Sequence, residues 1–120
     1  MTSPLILVVD DDQAIATFLI TVLEDAGYRV LVAMGEEAVR LARERSPALV
    51  LLDRRMPDMD GQEMARRLRA DPATAAIPLV LMTADARGRD ELVYTVDGWL
   101  PKPFHLDTLF ATLARWAPLP

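Results

Sequence analysis

Three short apolar runs, Leu5 to Val9, Ala48 to Leu52 and Leu79 to Met82, punctuate the chain. They are too brief for helices and too continuous for half-exposed strands, so they read as buried strands of a parallel sheet. A fourth run, Tyr28 to Ala33, carries Arg29 and reads as an edge strand. Gly98-Trp99-Leu100, stopped by Pro101, reads as a short strand at the other edge. Between these runs the spacing turns helical. After Asp12, an N-cap residue, Ile15, Phe18, Leu19, Val22, Leu23 and Ala26 recur at three and four until Gly27 supplies a stop. Glu36 to Arg45 repeats the pattern with Ala38, Leu41 and Ala42 inward, and Ser46-Pro47 ends it. Gln62 to Arg69 brings Met64, Ala65 and Leu68 to one face, and Asp71-Pro72 closes it. Leu106, Leu109, Phe110 and Leu113 mark a last helix, with Asp107 near its positive N-terminal end. The tail from Ala117 to Pro120 is expected to fray.

Strands and helices alternating at these lengths predict a doubly wound α/β fold, because parallel strands need crossovers that cover both sheet faces. The 120 residues are expected to form one domain, residues 1–120. A hydrophobic fraction of 52% excludes a disordered chain. The net charge is −5, and no basic cluster is longer than Arg54-Arg55 or Arg66-Arg67, so direct binding to nucleic acid is not expected. No apolar run approaches the roughly 20 residues that cross a bilayer, and the chain reads as cytoplasmic with no membrane contact. Without cysteine, and with His105 as the only histidine, chemistry here must run on carboxylates. Lys102 is the only lysine among thirteen basic residues. A position that escapes so strong an arginine bias invites a chemical explanation.

In open parallel sheets, ligands bind at the carboxyl ends of the central strands. The first run ends in Asp10-Asp11-Asp12, the run from Ala48 ends in Asp53, the run from Leu79 ends in Thr83, and Lys102 follows the last strand. Clustered carboxylates repel unless protonated or bridged by a cation, and an oxygen-only set suits Mg²⁺. With a divalent ion bound, one carboxylate can act as nucleophile toward a phosphoryl group. The Thr83 hydroxyl and the Lys102 ammonium can then hold the remaining oxygens. Asp12 reads more simply as a helix cap. The stretch Asp58-Met59-Asp60-Gly61 imitates part of a calcium loop but has Met56 at the first loop position and Arg67 at the closing one, so it reads as the turn into the third helix. His105 reads as structural or solvent-facing, and Trp116 as packing or anchoring the C-terminus.

Leu-Ile-Leu-Val-Val-Asp-Asp-Asp, Leu-Val-Leu-Leu-Asp-Arg-Arg-Met-Pro-Asp-Met-Asp-Gly, Leu-Met-Thr-Ala and Trp-Leu-Pro-Lys-Pro-Phe, in this order, resemble the receiver domain of two-component response regulators over essentially the whole chain. The resemblance implies a flavodoxin-like, five-stranded sheet in the order 2-1-3-4-5. It implies Asp53 as phosphoacceptor, Asp10 and Asp11 as the acidic pair, and a Mg²⁺ held by Asp11, Asp53 and the backbone carbonyl of Arg55, with Asp10 acting mostly through water. Thr83 matches the hydroxyl residue that follows the phosphoryl oxygens, Lys102 the phosphate-contacting lysine, and Trp99 the switch aromatic, usually Tyr or Phe. The Lys102-Pro103 bond matches one that is often cis.

Two departures stand out. Nineteen positions separate Thr83 from Lys102, fewer than receivers usually show, and Val93-Tyr94-Thr95-Val96 replaces the usual glycine stop. The helix between the fourth and fifth strands, the family's fourth, is therefore expected to be shortened or missing from Asp85 to Val96. Arg54-Arg55 after the acceptor is the second departure. The function implied is a single-domain phosphorylation switch, charged by a histidine kinase or phosphotransfer protein and read by a downstream protein. The alternatives are a phosphate sink that only hydrolyses its own phosphoryl group, and a receiver module excised from a larger protein.

Overall fold

The structure, a computed structural model, describes residues 3–54, 59–84 and 96–120. Five strands, β1 (Leu5–Val9), β2 (Arg29–Ala33), β3 (Leu49–Asp53), β4 (Leu79–Thr83) and β5 (Gly98–Pro101), pair in parallel in the order β2-β1-β3-β4-β5. Four helices accompany them among the described residues: α1 (Gln13–Asp25), α2 (Gly35–Arg45), α3 (Gly61–Ala70) and α4 (Leu106–Trp116). The expectation of a reduced helix from Asp85 to Val96 falls, Val96 apart, outside the described residues, as does Arg55.

β1, β3 and β4 are buried on both faces, as their unbroken apolar runs require. Alternation along them splits the core. Leu7, Val9, Val50, Leu52, Leu79 and Leu81 point toward α2 and α3, packing on Ala38, Ala42, Met64, Ala65 and Leu68. Ile6, Val8, Leu49, Leu51, Val80 and Met82 point toward α1 and α4, packing on Leu19, Leu23, Leu109 and Leu113. The local signals hold: Asp12 caps α1, its Oδ1 accepting from Ala14 N at 2.9 Å and Ile15 N at 3.2 Å, and Gly27 takes a φ of 105° just past that helix. Asp60 caps α3 through Glu63 N, so the calcium-loop fragment is indeed a helix entry.

Phe18, Leu106 and Phe110 keep the helical spacing expected of them and are exposed, because Leu19, Leu109 and Leu113 already fill the sheet-facing stripe. One expectation fails in part. The tail does not fray at its start. Ala117 is buried, and its carbonyl accepts from the Tyr28 hydroxyl at 2.8 Å. Leu119 lies over Gly27, with Cδ2 3.6 Å from where a Cβ would stand.

Candidate functional site

Parallel pairing brings the ends of β1, β3, β4 and β5 to one edge of the sheet, and the predicted residues meet there. Asp10 follows β1, Asp53 ends β3, Thr83 ends β4, and Lys102 leaves β5. Asp10, Asp53 and Thr83 are buried, whereas Asp11 is exposed at the mouth. The Lys102 ammonium lies between two carboxylates, donating to Asp10 Oδ2 at 3.0 Å and to Asp53 Oδ1 at 3.1 Å. Burial works to lower the Lys102 pKa, but the hydrogen bonds to Asp10 and Asp53 and the attraction of their charges outweigh it, and the net shift is upward. The ammonium is thus held firmly charged.

The other oxygen of Asp10, Oδ1, accepts from Asp12 N at 2.9 Å. Each oxygen of Asp10 therefore has a hydrogen-bond partner within the protein. One carboxylate oxygen from each of Asp10, Asp11 and Asp53 lies within 4.8 Å of the others. That spacing and an all-oxygen donor set suit a small, hard dication.

Lys102 is delivered by β5. Its own N–H donates to Thr83 O at 2.9 Å, continuing the β4–β5 ladder past Pro101. The Lys102-Pro103 bond is cis. Trp99, half-buried, packs on the α2–α3 side of the core, opposite Leu81 in the register. Ala84 is exposed and lines a largely apolar groove of about 420 Å³ with Ile15, Phe18, Pro103, Phe104 and Lys102. Phe18 and Phe104 pack at 6.1 Å between ring centroids.

The arrangement matches a known family. The pattern of the response regulator receiver domain extends over residues 6–114. The chain belongs to that family. Among solved structures, the receiver domain of a Pseudomonas aeruginosa sensor histidine kinase, with a magnesium ion coordinated in its active-site cleft, superposes with a TM-score of 0.89 at 32% identity, over 96% of this chain and 98% of that one. The chemotaxis protein CheY4 of Vibrio cholerae gives a TM-score of 0.89 at 31% identity, covering 96% and 99%. Among curated relatives, the DNA-binding dual master transcriptional regulator RpaA of Synechocystis is 38% identical over 90% of this chain, but the chain spans only 46% of it. The chain spans about half the length of the first such regulators it matches. Against the Pseudomonas aeruginosa protein PilH, 36% identical over 90% of this chain, it spans 93% of the relative's length. The receiver has no helix, among its described residues, long and apolar enough to cross a membrane.

Sequence reasoning missed two features of the receiver, one behind Asp53 and one at the far end of β5. Gly61, at the start of α3, approaches the backbone behind Asp53 so closely that a Cβ would stand 2.7 Å from Asp53 O and 2.9 Å from Arg54 Cα. Glycine is needed there for lack of room, a constraint no local pattern carries. The second is Asp97, just before β5, whose Oδ2 accepts from Leu79 N at 2.8 Å and from the Arg69 guanidinium.

Proposed function

We propose that this receiver is a phosphorylation switch that takes a phosphoryl group onto Asp53 from a histidine kinase or phosphotransfer protein and thereby changes its affinity for a downstream protein. The observation that carries the proposal is the Lys102 ammonium held 3.0 Å from Asp10 and 3.1 Å from Asp53 at the end of the central strand. An Asp53 oxygen forms the new P–O bond as the P–N bond of a phosphohistidine breaks, and the imidazole leaves with the electron pair and picks up a proton. Lys102 then trades part of its contact with the Asp53 carboxylate for the phosphoryl oxygens. Thr83, ending the next strand, supplies a hydroxyl donor to the same oxygens. Mg²⁺, held by Asp11 and Asp53 with the Arg55 carbonyl and with Asp10 behind it, would neutralise charge on the transferring group.

The apolar groove beside Lys102 supports a protein phosphodonor, since it offers Ile15, Phe18 and Phe104 to a helix carrying the histidine. Thr83 and Trp99 are the switch residues: Thr83 follows the phosphoryl oxygens, and the half-buried indole one strand away changes its packing in response. The receiver catalyses no more than its own phosphorylation and hydrolysis. It works in the cytoplasm, without touching membrane or nucleic acid itself. Intact-mass spectrometry after incubation with acetyl phosphate and Mg²⁺ tests the assignment. One added phosphoryl group is expected on the wild type and none on Asp53→Asn; undiminished labelling of the variant rejects Asp53 as acceptor.

A further inference from the structure

The strand that carries Lys102 has little of its own to set its register. β5 is a four-residue edge strand that, among the described residues, pairs with β4 alone. In most sheets the alternation of apolar and polar positions fixes register, because a slip of one residue moves every side chain to the wrong face. Gly98-Trp99-Leu100-Pro101 has no such alternation: its two apolar residues are adjacent, and Pro101 brings no N–H to the ladder. A slip by one residue would also move Lys102 by about 3.3 Å. That shift is larger than the distance from its ammonium to either carboxylate.

Asp97 supplies what the strand lacks. Its backbone N–H donates to Leu79 O at 2.8 Å while its side-chain Oδ2 accepts from Leu79 N at 2.8 Å. The two bonds close a ring between Asp97 and one residue of β4, and only one register allows it. Arg69, near the end of α3, braces the ring. Its guanidinium donates to Asp97 Oδ2, to Ala75 O at 2.9 Å and to Ile77 O at 2.8 Å, so one side chain grips both the start of β5 and the backbone leading into β4. The brace sits at the opposite edge of the sheet from Asp53, with the Arg69 side chain 25% and the Asp97 side chain 34% exposed.

We propose that Asp97, braced by Arg69, is a positioning residue for the phosphoryl site: it pins the register of β5 and so delivers Lys102, five residues on, to Asp10 and Asp53. The inference rests on the proposed role of Lys102, and its test reads position and chemistry separately. Because Lys102 is the only lysine, a zero-length carbodiimide cross-link from its ammonium to Asp10 or Asp53, mapped by mass spectrometry, reports its placement without phosphorylation. Measured below each protein's melting temperature, Asp97→Ala is expected to lose about tenfold in cross-link yield and a similar factor in labelling by acetyl phosphate, since small misplacements in a reacting site are costly. Asp97→Asn should recover most of both, its amide oxygen still accepting from Leu79 N. Wild-type cross-linking in a folded but less stable Asp97→Ala protein overturns the proposal, leaving Asp97 a stabilising contact only. Cross-linking lost while labelling persists upholds the positioning role and rejects the part given to Lys102. Should Asp97→Ala fail to fold, Arg69→Gln decides, because it leaves the Asp97 bond to Leu79 N in place: a reduced yield supports the brace and an unchanged one overturns it.

Discussion

Two groups of charges on this receiver use the same chemistry in opposite settings. At the site, Lys102, Asp10 and Asp53 form a cluster whose side chains are 18%, 0% and 13% exposed. Across α2 and α3, Arg40–Glu44, Arg66–Glu63 and Arg67–Glu36 form pairs that are shorter, but each has at least one side chain more than half exposed. Distance alone would rank the surface pairs first. Burial reverses the order. Water screens an exposed pair and compensates either ion when the other is removed, whereas a buried carboxylate that loses its cation keeps its desolvation cost. Two acids and one lysine in the interior are therefore poised: the cluster carries an uneven charge that a second cation can balance, and any change there is felt.

The largest effect should follow from taking the ammonium away. Lys102→Met in Mg²⁺-free buffer is expected to cost about 3 kcal/mol, because it leaves Asp10 and Asp53 facing each other out of solvent. For a domain of this size that corresponds to a melting temperature lower by about 10 °C. An unchanged or raised melting temperature would mean that water reaches the cluster freely and that the contrast with the helix pairs is false. Mg²⁺ comes next. At about a hundredfold over its dissociation constant it should stabilise the wild type by about 2.7 kcal/mol, with a smaller gain in Asp11→Ala and a weaker effect at low pH, where protons compete for the same oxygens. Equal Mg²⁺ response in Asp11→Ala would move the ion away from this site.

How well the sequence foretold each region follows from the range of the interactions involved. The strands β1, β3 and β4 were legible because continuous apolar runs bounded by polar residues have few other uses. The site was legible because parallel pairing must bring residues that end strands to one edge, so Asp10, Asp53, Thr83 and Lys102 could be gathered without knowing any side-chain contact. Helix caps such as Asp12 and Asp60 act over two or three residues and were equally plain. What could not be read is non-local. Arg69 and Asp97 meet across 28 residues, and Tyr28 reaches Ala117 across 89, neither with a periodic signature. The exposure of Phe18 and Phe110 was hidden for a related reason. Helical spacing says which residues share a face, but the width of the stripe that the sheet can cover is set by the neighbouring helix.

Alkaline pH sharpens the comparison from the side of the buried groups. Lys102 has a raised pKa, with burial opposing and the two carboxylates prevailing, and Tyr28 has a raised pKa because burial disfavours its phenolate. For both, the folded state holds the proton more tightly than the unfolded chain does. Their contribution is therefore complete below about pH 10, the unfolded range for both groups, and is lost as the pH climbs through the raised folded values. Urea midpoints measured from pH 8 to pH 11 should fall at the upper end. Tyr28→Phe should flatten part of that fall and Lys102→Met another part. Parallel curves for wild type and both variants would show that other groups drive the alkaline loss.

The smallest effect is expected on the helix surface, where it tests the other half of the contrast. Glu36 is 74% exposed and accepts two hydrogen bonds from Arg67, an arrangement that joins α2 to α3 and looks strong on geometry alone. The hydrogen bond from Arg67 lowers the Glu36 pKa, opposed by desolvation and aided by the cation's charge, so any contribution is present above the ordinary carboxylate range and fades as the pH falls through it. At such exposure the attraction is screened by salt and offset by the freedom both long side chains give up. Glu36→Gln should leave the melting temperature unchanged within error at physiological ionic strength, with at most a small decrease when salt is removed. Arg66 and Glu63 supply an internal control, since they form a comparably exposed pair within one helix. A loss in Glu36→Gln approaching that of Lys102→Met, and persisting at high salt, would show that geometry outweighs burial on this receiver and would undo the ranking of the two clusters.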